Sequence, residues 1–273
     1  MRLINRRPRT STRLLLGAIP FALALTVYAI ASAIRRADNP ADKLLPSFDA
    51  IISAMGRMAF EADRRSGDYL LWTDTFASLE RLFLGIAIAA TFAVVTGALI
   101  GMLPFARAFL SPFIAAFSLI PPITVLPILF IVLGLGEAAK VGLIVVGTAP
   151  LMTRTLAQSV LDLPREEIIK AQTLGANTWQ IATRVVLPQA WPHLIRAMRL
   201  GLVPAWIFLV SAEAIASTEG LGYRIFLVRR YLAMDIIIPY VAWITLLAYL
   251  IDRLLALLSR RLFRWAHLGG ESL

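Results

Sequence analysis

The side chains that carry chemistry are few in this sequence and widely separated. His193 and His267 are the two histidines, neither sits in an H-E-x-x-H run, and there is no cysteine. A metal centre or a thiol nucleophile therefore has no ligand set to draw on, and each histidine reads as an isolated polar residue. No G-x-x-x-x-G-K-[ST] run and no Gly-Lys pair occurs, so no phosphate-cradling loop is visible. No catalytic residue, metal ligand or cofactor site is assigned to the chain. What remains is Glu213, set between Ser211 and Ser217 in an apolar run, and the Pro121-Pro122 pair in another. An ionisable group among apolar neighbours is expensive unless it faces a bundle interior or a wet cavity. Two readings stay open for Glu213: a pore or gate residue, or a structural hydrogen-bond partner near water. Pro121-Pro122 likewise reads as a functional break or a plain kink.

The elements that position these residues follow from composition. Of 273 residues, 59% are hydrophobic and 16% charged, and the charges cluster between long uncharged runs. That pattern predicts an all-α polytopic membrane protein, one domain over residues 1–273. The spacing predicts six spans, near 14–34, 82–103, 110–133, 138–157, 200–217 and 236–258, each close to the roughly 17–25 residues that cross the hydrocarbon. Gly134-Leu135-Gly136-Glu137 makes a tight hairpin between the third and fourth. Gly97-x-x-x-Gly101 permits close helix approach. Net charge is +10, but the arginines flank apolar runs, which reads as topology rather than nucleic-acid binding. The segments 1–13, 104–109, 154–199 and 253–273 hold 16 of the 27 basic residues, so they are expected inside, with both termini cytoplasmic and Arg260, Arg261 and Arg264 as anchors. The first apolar run, Leu14–Ile34, carries small-x-small triplets but is 21 residues long. A secretory core is about 7–15 residues, so a retained span is expected.

The longest inner segment, 158–199, is the most informative. Pro164 suits the first turn of a helix, and Glu166 and Glu167 follow where the dipole favours negative charge. Gly175 is a natural stop, Thr178 caps a second short helix, and Pro188 is expected to end it. Ile168, Ile169, Leu174 and Trp179 give this element apolar side chains that either lie on the membrane or fill a partner's groove; spacing leaves both open.

The run Ala171-x-x-x-Gly175, nine residues, then Val185-x-Leu187-Pro188 resembles the E-A-A-x3-G-x9-I-x-L-P loop of binding-protein-dependent ABC importer permeases. The pattern's Glu falls here on Ile169, its first Ala on Lys170 and its Ile on Val185, with Glu166 and Glu167 just upstream. Leu45-Pro46-Ser47, Ile120-Pro121-Pro122, Gly134-Leu135-Gly136-Glu137-x-x-Lys140, Gly220-Leu221-Gly222-Tyr223 and Arg260-Arg261-x-x-x-Arg264-Trp265 are similar, in order and spacing, to the nitrate/sulfonate/taurine branch. The resemblance implies an inner-membrane permease, most simply a homodimer, with two separate ATPase subunits that bind ATP and Mg. It also implies an external solute-binding protein that delivers a small anion. On this reading 163–188 is the ATPase-coupling loop, carried by Glu166, Glu167, Ala171, Leu174, Gly175, Leu187 and Pro188. An acid suits an anionic solute poorly, so Glu213, with Ser211, Ser217, Pro121 and Pro122, is placed with gate or structure. The alternative is a stand-alone secondary transporter, for which the chain shows no internal repeat and few intramembrane acids. A membrane enzyme ranks last, lacking any nucleophile–base pair.

Overall fold

The computed structural model describes residues 10–39, 42–64 and 66–267; the arginine-rich start and the last six residues lie outside it. Among the described residues all regular structure is helical: α1 (Thr10–Asp38), α2 (Phe48–Phe60), α3 (Leu70–Met102), α4 (Pro104–Phe117), α5 (Pro122–Leu133), α6 (Glu137–Leu161), α7 (Arg165–Thr173), α8 (Thr178–Ile181), α9 (Leu187–Ala216), α10 (Leu221–Arg229) and α11 (Met234–Leu262). The contacts gather into two compact units, one of residues 1–69 and 228–241, the other of 70–227 and 242–273.

In the first unit α1 is apolar over its whole circumference and mostly exposed, as a lipid-facing helix is. The Leu45-Pro46-Ser47 turn is where it attaches to α2. Tyr28 and Ser32 donate to the carbonyl of Pro46, at 2.7 and 3.2 Å, and Ser32 also to that of Leu45 at 2.9 Å. Ser47 caps α2 by accepting from the Ala50 amide. Asp42 accepts from the Leu44 amide and from Arg35, and these bonds hold its carboxyl below the usual carboxylate range.

The second unit is built on α3 and α6, which run parallel in a fixed register. Glycines of α3 meet α6 residues at a constant offset of 59: Gly85 faces Ile144, Gly97 faces Leu156 and Gly101 faces Val160. Ala89 and Ala93 continue the same four-residue spacing and are fully buried. A row of small residues every four positions is a groove, and the facing row fills it. A Cβ on Gly101 would lie 2.5 Å from the Val160 Cβ, so only glycine permits this approach. α9 packs on the same pair in the opposite sense, with Gly147 against Phe208 and Gly201 against Met152.

Three expectations change. Among the described residues four helices, counting α8 and α9 with their join as one, are long and apolar enough to cross a membrane, or five with α4 and α5 as one broken span, where the sequence predicts six. The remaining expected span is α6. Its Thr148, Thr153, Arg154, Thr155 and Gln158 lower its hydropathy, which is tolerable because α3 and α9 enclose much of it. The expected 110–133 span is broken: α4 and α5 meet at 97°. Pro121 stands in extended conformation and Pro122 opens α5; neither has an amide hydrogen to continue α4. Lastly, Pro188 does not end the second loop helix. α8 runs through a π-helical turn, Ala182–Val186, straight into α9, and Pro188 follows that turn, where the regular α-helical ladder is already interrupted and its missing amide hydrogen is accommodated. The α8 cap is Asn177 rather than Thr178, in a reciprocal capping box with Gln180.

Candidate functional site

Two groups of candidate residues lie at opposite ends of the α3–α6–α9 bundle. The first is the α7–α8 elbow, between the end of α6 and the start of α9. α7 closes in a Schellman turn: the Ala176 amide reaches back to the Ala171 carbonyl and the Gly175 amide to Gln172, with Gly175 at φ +84°. That conformation and the open space around it make Gly175 a conformational rather than a packing requirement. Ile168 and Gln172 line a recess of about 210 Å³ with Gly101, Met102 and Val160, so one face of α7 sits against the ends of α3 and α6. The other face is bare. Ile169 is 57% exposed, Leu174 81% and Trp179 75%. Glu167 accepts from the Gln189 side chain, tying α7 to α9, while Glu166 is exposed. Leu187 and Trp179 border an apolar groove along α3, and Pro188 is exposed.

The second group surrounds Glu213, which is fully buried yet completely satisfied. Its Oε1 accepts from Ser78 and from Arg81, both at 2.8 Å, and its Oε2 from the Gly222 amide at 2.8 Å. Arg81 also donates to both oxygens of Glu137, at 2.5 and 3.0 Å, and to the Glu219 carbonyl. Lys140 donates to Glu137 and to the Ser217 hydroxyl. Asp74 takes two bonds from Arg224 and one from the Gly220 amide, and the Ser78 hydroxyl accepts from Leu221. Gly220, at φ +119°, and Gly222 leave no room for a Cβ: the first would strike the Glu213 carboxyl, the second the Val210 backbone. The cluster thus ties the starts of α3 and α6, the end of α9 and the entry to α10 into one knot. Arg81 and Lys140 extend the 59-residue register of the glycine row by another rung.

The structure brings together Glu213, Ser217, Glu137, Lys140 and Gly220-Leu221-Gly222, which the sequence had shown only as separate motifs. It leaves Ser211 out: its hydroxyl donates to the Ile207 carbonyl of its own helix. Pro121 and Pro122 stand at the α4–α5 break, away from either group. Asp74, Ser78, Arg81 and Arg224 were missed. Their signal was present, since Asp74, Ser78 and Arg81 fall at i, i+4 and i+7 on one helical face. Starting the span at Leu82 had assigned them to a loop.

Residues 68–264 match the family described as binding-protein-dependent transport system inner membrane component. The taurine transport system permease protein TauC of Escherichia coli is 36% identical over 199 residues, covering 72% of each chain. A probable ABC transporter permease protein of Brucella melitensis is 34% identical over 70% of this chain and 78% of its own. The putative aliphatic sulfonates transport permease protein SsuC of Escherichia coli is 25% identical over 92% and 93%. In fold, the chain is similar to an inward-facing MetNI methionine ABC transporter structure, with TM-score 0.60 and 23% identity over 73% of this chain and 99% of that one. With the family match running over residues 68–264 and a relative 36% identical over 72% of each chain, this chain belongs to the family of inner-membrane components of binding-protein-dependent transport systems.

Proposed function

We propose that the chain is the translocation subunit of an ATP-driven importer for a small anion, with ATP and Mg bound and hydrolysed on separate subunits. The observation that carries this reading is the α7–α8 elbow. It is a short, rigidly capped helix that presents Leu174 and Trp179 to solvent at the end of a bundle. Exposed large apolar side chains on a fixed backbone are what a partner's pocket receives. Two ATPase subunits would seat on the elbows of two permease copies, with Glu166, Ala171, Gly175 and Leu187 shaping the contact. The knot at the other end would then face outward, where an external binding protein docks, and both termini would be cytoplasmic. The permease relatives for taurine and aliphatic sulfonates support an anionic solute of that class. In the knot Glu213 is a structural counter-ion rather than a solute contact, since all its acceptor positions face the protein.

The test is reconstitution. The chain should copurify with an ATPase subunit, and the reconstituted complex should take up taurine or another alkylsulfonate only with ATP and a binding protein present. Uptake by the chain alone, driven by an ion gradient, would overturn the reading in favour of a secondary transporter.

A further inference from the structure

The α4–α5 break opens a second feature that neither the elbow nor the knot uses. At the break lies a pocket of about 200 Å³, lined by Ser118, Ile120, Pro122, Gly147, Pro150 and Arg154 among others. Ser118 and Pro122 are the two sides of the bend, while Gly147, Pro150 and Arg154 come from α6. Val146 and Leu151 of α6 also line the pocket, so this wall is apolar apart from one cation, Arg154.

Arg154 is the unusual residue. It is the charged residue of the pocket lining, and among the described residues it makes no hydrogen bond and no ion pair, a state it shares with Arg165 and Arg184 of the loop beyond α6. Counted with the inner basic residues in the sequence, it lies seven residues short of the end of α6. At 1.5 Å per residue it is about 21 Å along α6 from Lys140, which is part of the knot. A hydrocarbon core is about 30 Å thick, so a knot at one surface leaves Arg154 within the membrane. Arg154 is exposed, so at that depth its guanidinium opens onto the cavity at the broken helix, where a cation is tolerated and an anion entering the cavity is attracted to it. Ser118 stands on the facing wall, with its hydroxyl proton committed to the Ile114 carbonyl at 2.5 Å, so the attraction for an anion in the pocket comes from Arg154.

We infer that this pocket is a transit subsite for the anionic head of the solute, with Arg154 as its counter-charge. The inference rests on the reading of the chain as an anion permease and names the residue that makes the path selective for charge. Glu213 is thereby freed from any solute role, and the selective residue sits on α6, against the break that Pro121 and Pro122 create.

The absence of cysteine gives a clean test. In the full-length chain in membrane vesicles, Ser118→Cys places one thiol in the pocket, and Ile120→Cys provides a second, independent reporter. Each is treated with two methanethiosulfonates of similar size, one bearing an ethylsulfonate and one a trimethylammonium group. The sulfonate reagent is itself a probe of the proposed ligand chemistry. Expected is a sulfonate-to-ammonium rate ratio about tenfold higher with Arg154 than with Arg154→Gln, because a cation within a few ångströms attracts one reagent and repels the other. Arg154→Lys should keep most of the preference. A ratio that does not change with residue 154, or thiols that react with neither reagent, overturns the inference. If the assembled transporter imports no anion while the preference persists, the subsite stands and the proposed solute class falls.

Discussion

Arg81 is 3% exposed and serves three acceptor groups at once, the carboxylates of Glu137 and Glu213 and the carbonyl of Glu219. Burying an arginine and a glutamate together is close to neutral against apolar residues of the same volume. Removing one partner is not, because the other is left charged in a dry site. Arg81→Ala should therefore lower stability by about 3–5 kcal/mol, read by chemical denaturation in detergent. Arg81→Gln combined with Glu213→Gln should lose less than the two single changes added together, since the double change leaves no lone charge. A strictly additive pair would show that the two side chains are not coupled.

At the scale of elements, the governing fact is the row of small residues on α3 at 85, 89, 93, 97 and 101, facing α6. Gly101→Val should cost about 1–3 kcal/mol through overpacking and reduce the yield of folded chain. Gly56→Ala, in α2 with open space around it, is the control and should be neutral or slightly stabilising, judged by thermal unfolding of both variants in one detergent. Much of this level was legible in the sequence. Hydropathy marked the long helices, Gly97-x-x-x-Gly101 marked the close approach, and Pro164 and Gly175 bounded α7 correctly. The misreadings share a cause. Polar residues at 70–81 looked like loop because their partners lie more than fifty residues away, on α6, α9 and α10, and no local pattern announces them. Pro188 looked like a terminator because proline breaks a regular α-helical ladder; here it follows a π-helical turn that has already interrupted the ladder. The 97° bend was foreshadowed by Pro121-Pro122, whose two readings only coordinates separate.

For the whole molecule, the elbow and the knot differ in exposure, the first bare at Leu174 and Trp179 and the second buried around Arg81 and Glu213. Leu174 and Trp179 are exposed, so changing them leaves the fold intact and strikes only what binds there. Leu174→Asp should keep the unfolding temperature of the parent while weakening ATPase association by roughly tenfold or more, the scale of a hot-spot contact. Copurification and a binding titration against the ATPase would measure it. A variant that binds normally would move the docking site elsewhere. The sequence showed the elbow as a loop with two apolar uses, membrane or partner. The Schellman closure and the Asn177 box add rigidity, and a rigid bare face suits a partner better than a fluid lipid surface.

The unslipping register of α3 on α6 has a mechanical corollary. Two helices interlocked over five successive rungs neither slide nor twist against each other without unseating glycines that have no spare space. Together they make a stiff rod about 30 Å long over the paired stretch from Arg81 to Gly101, at 1.5 Å per residue. A displacement delivered at the α7 recess would be passed along this pair toward the Arg81 knot rather than absorbed between the two helices. Compliance must then reside where the rod is not braced, at the hinge between α4 and α5, which is also where the lone Arg154 waits.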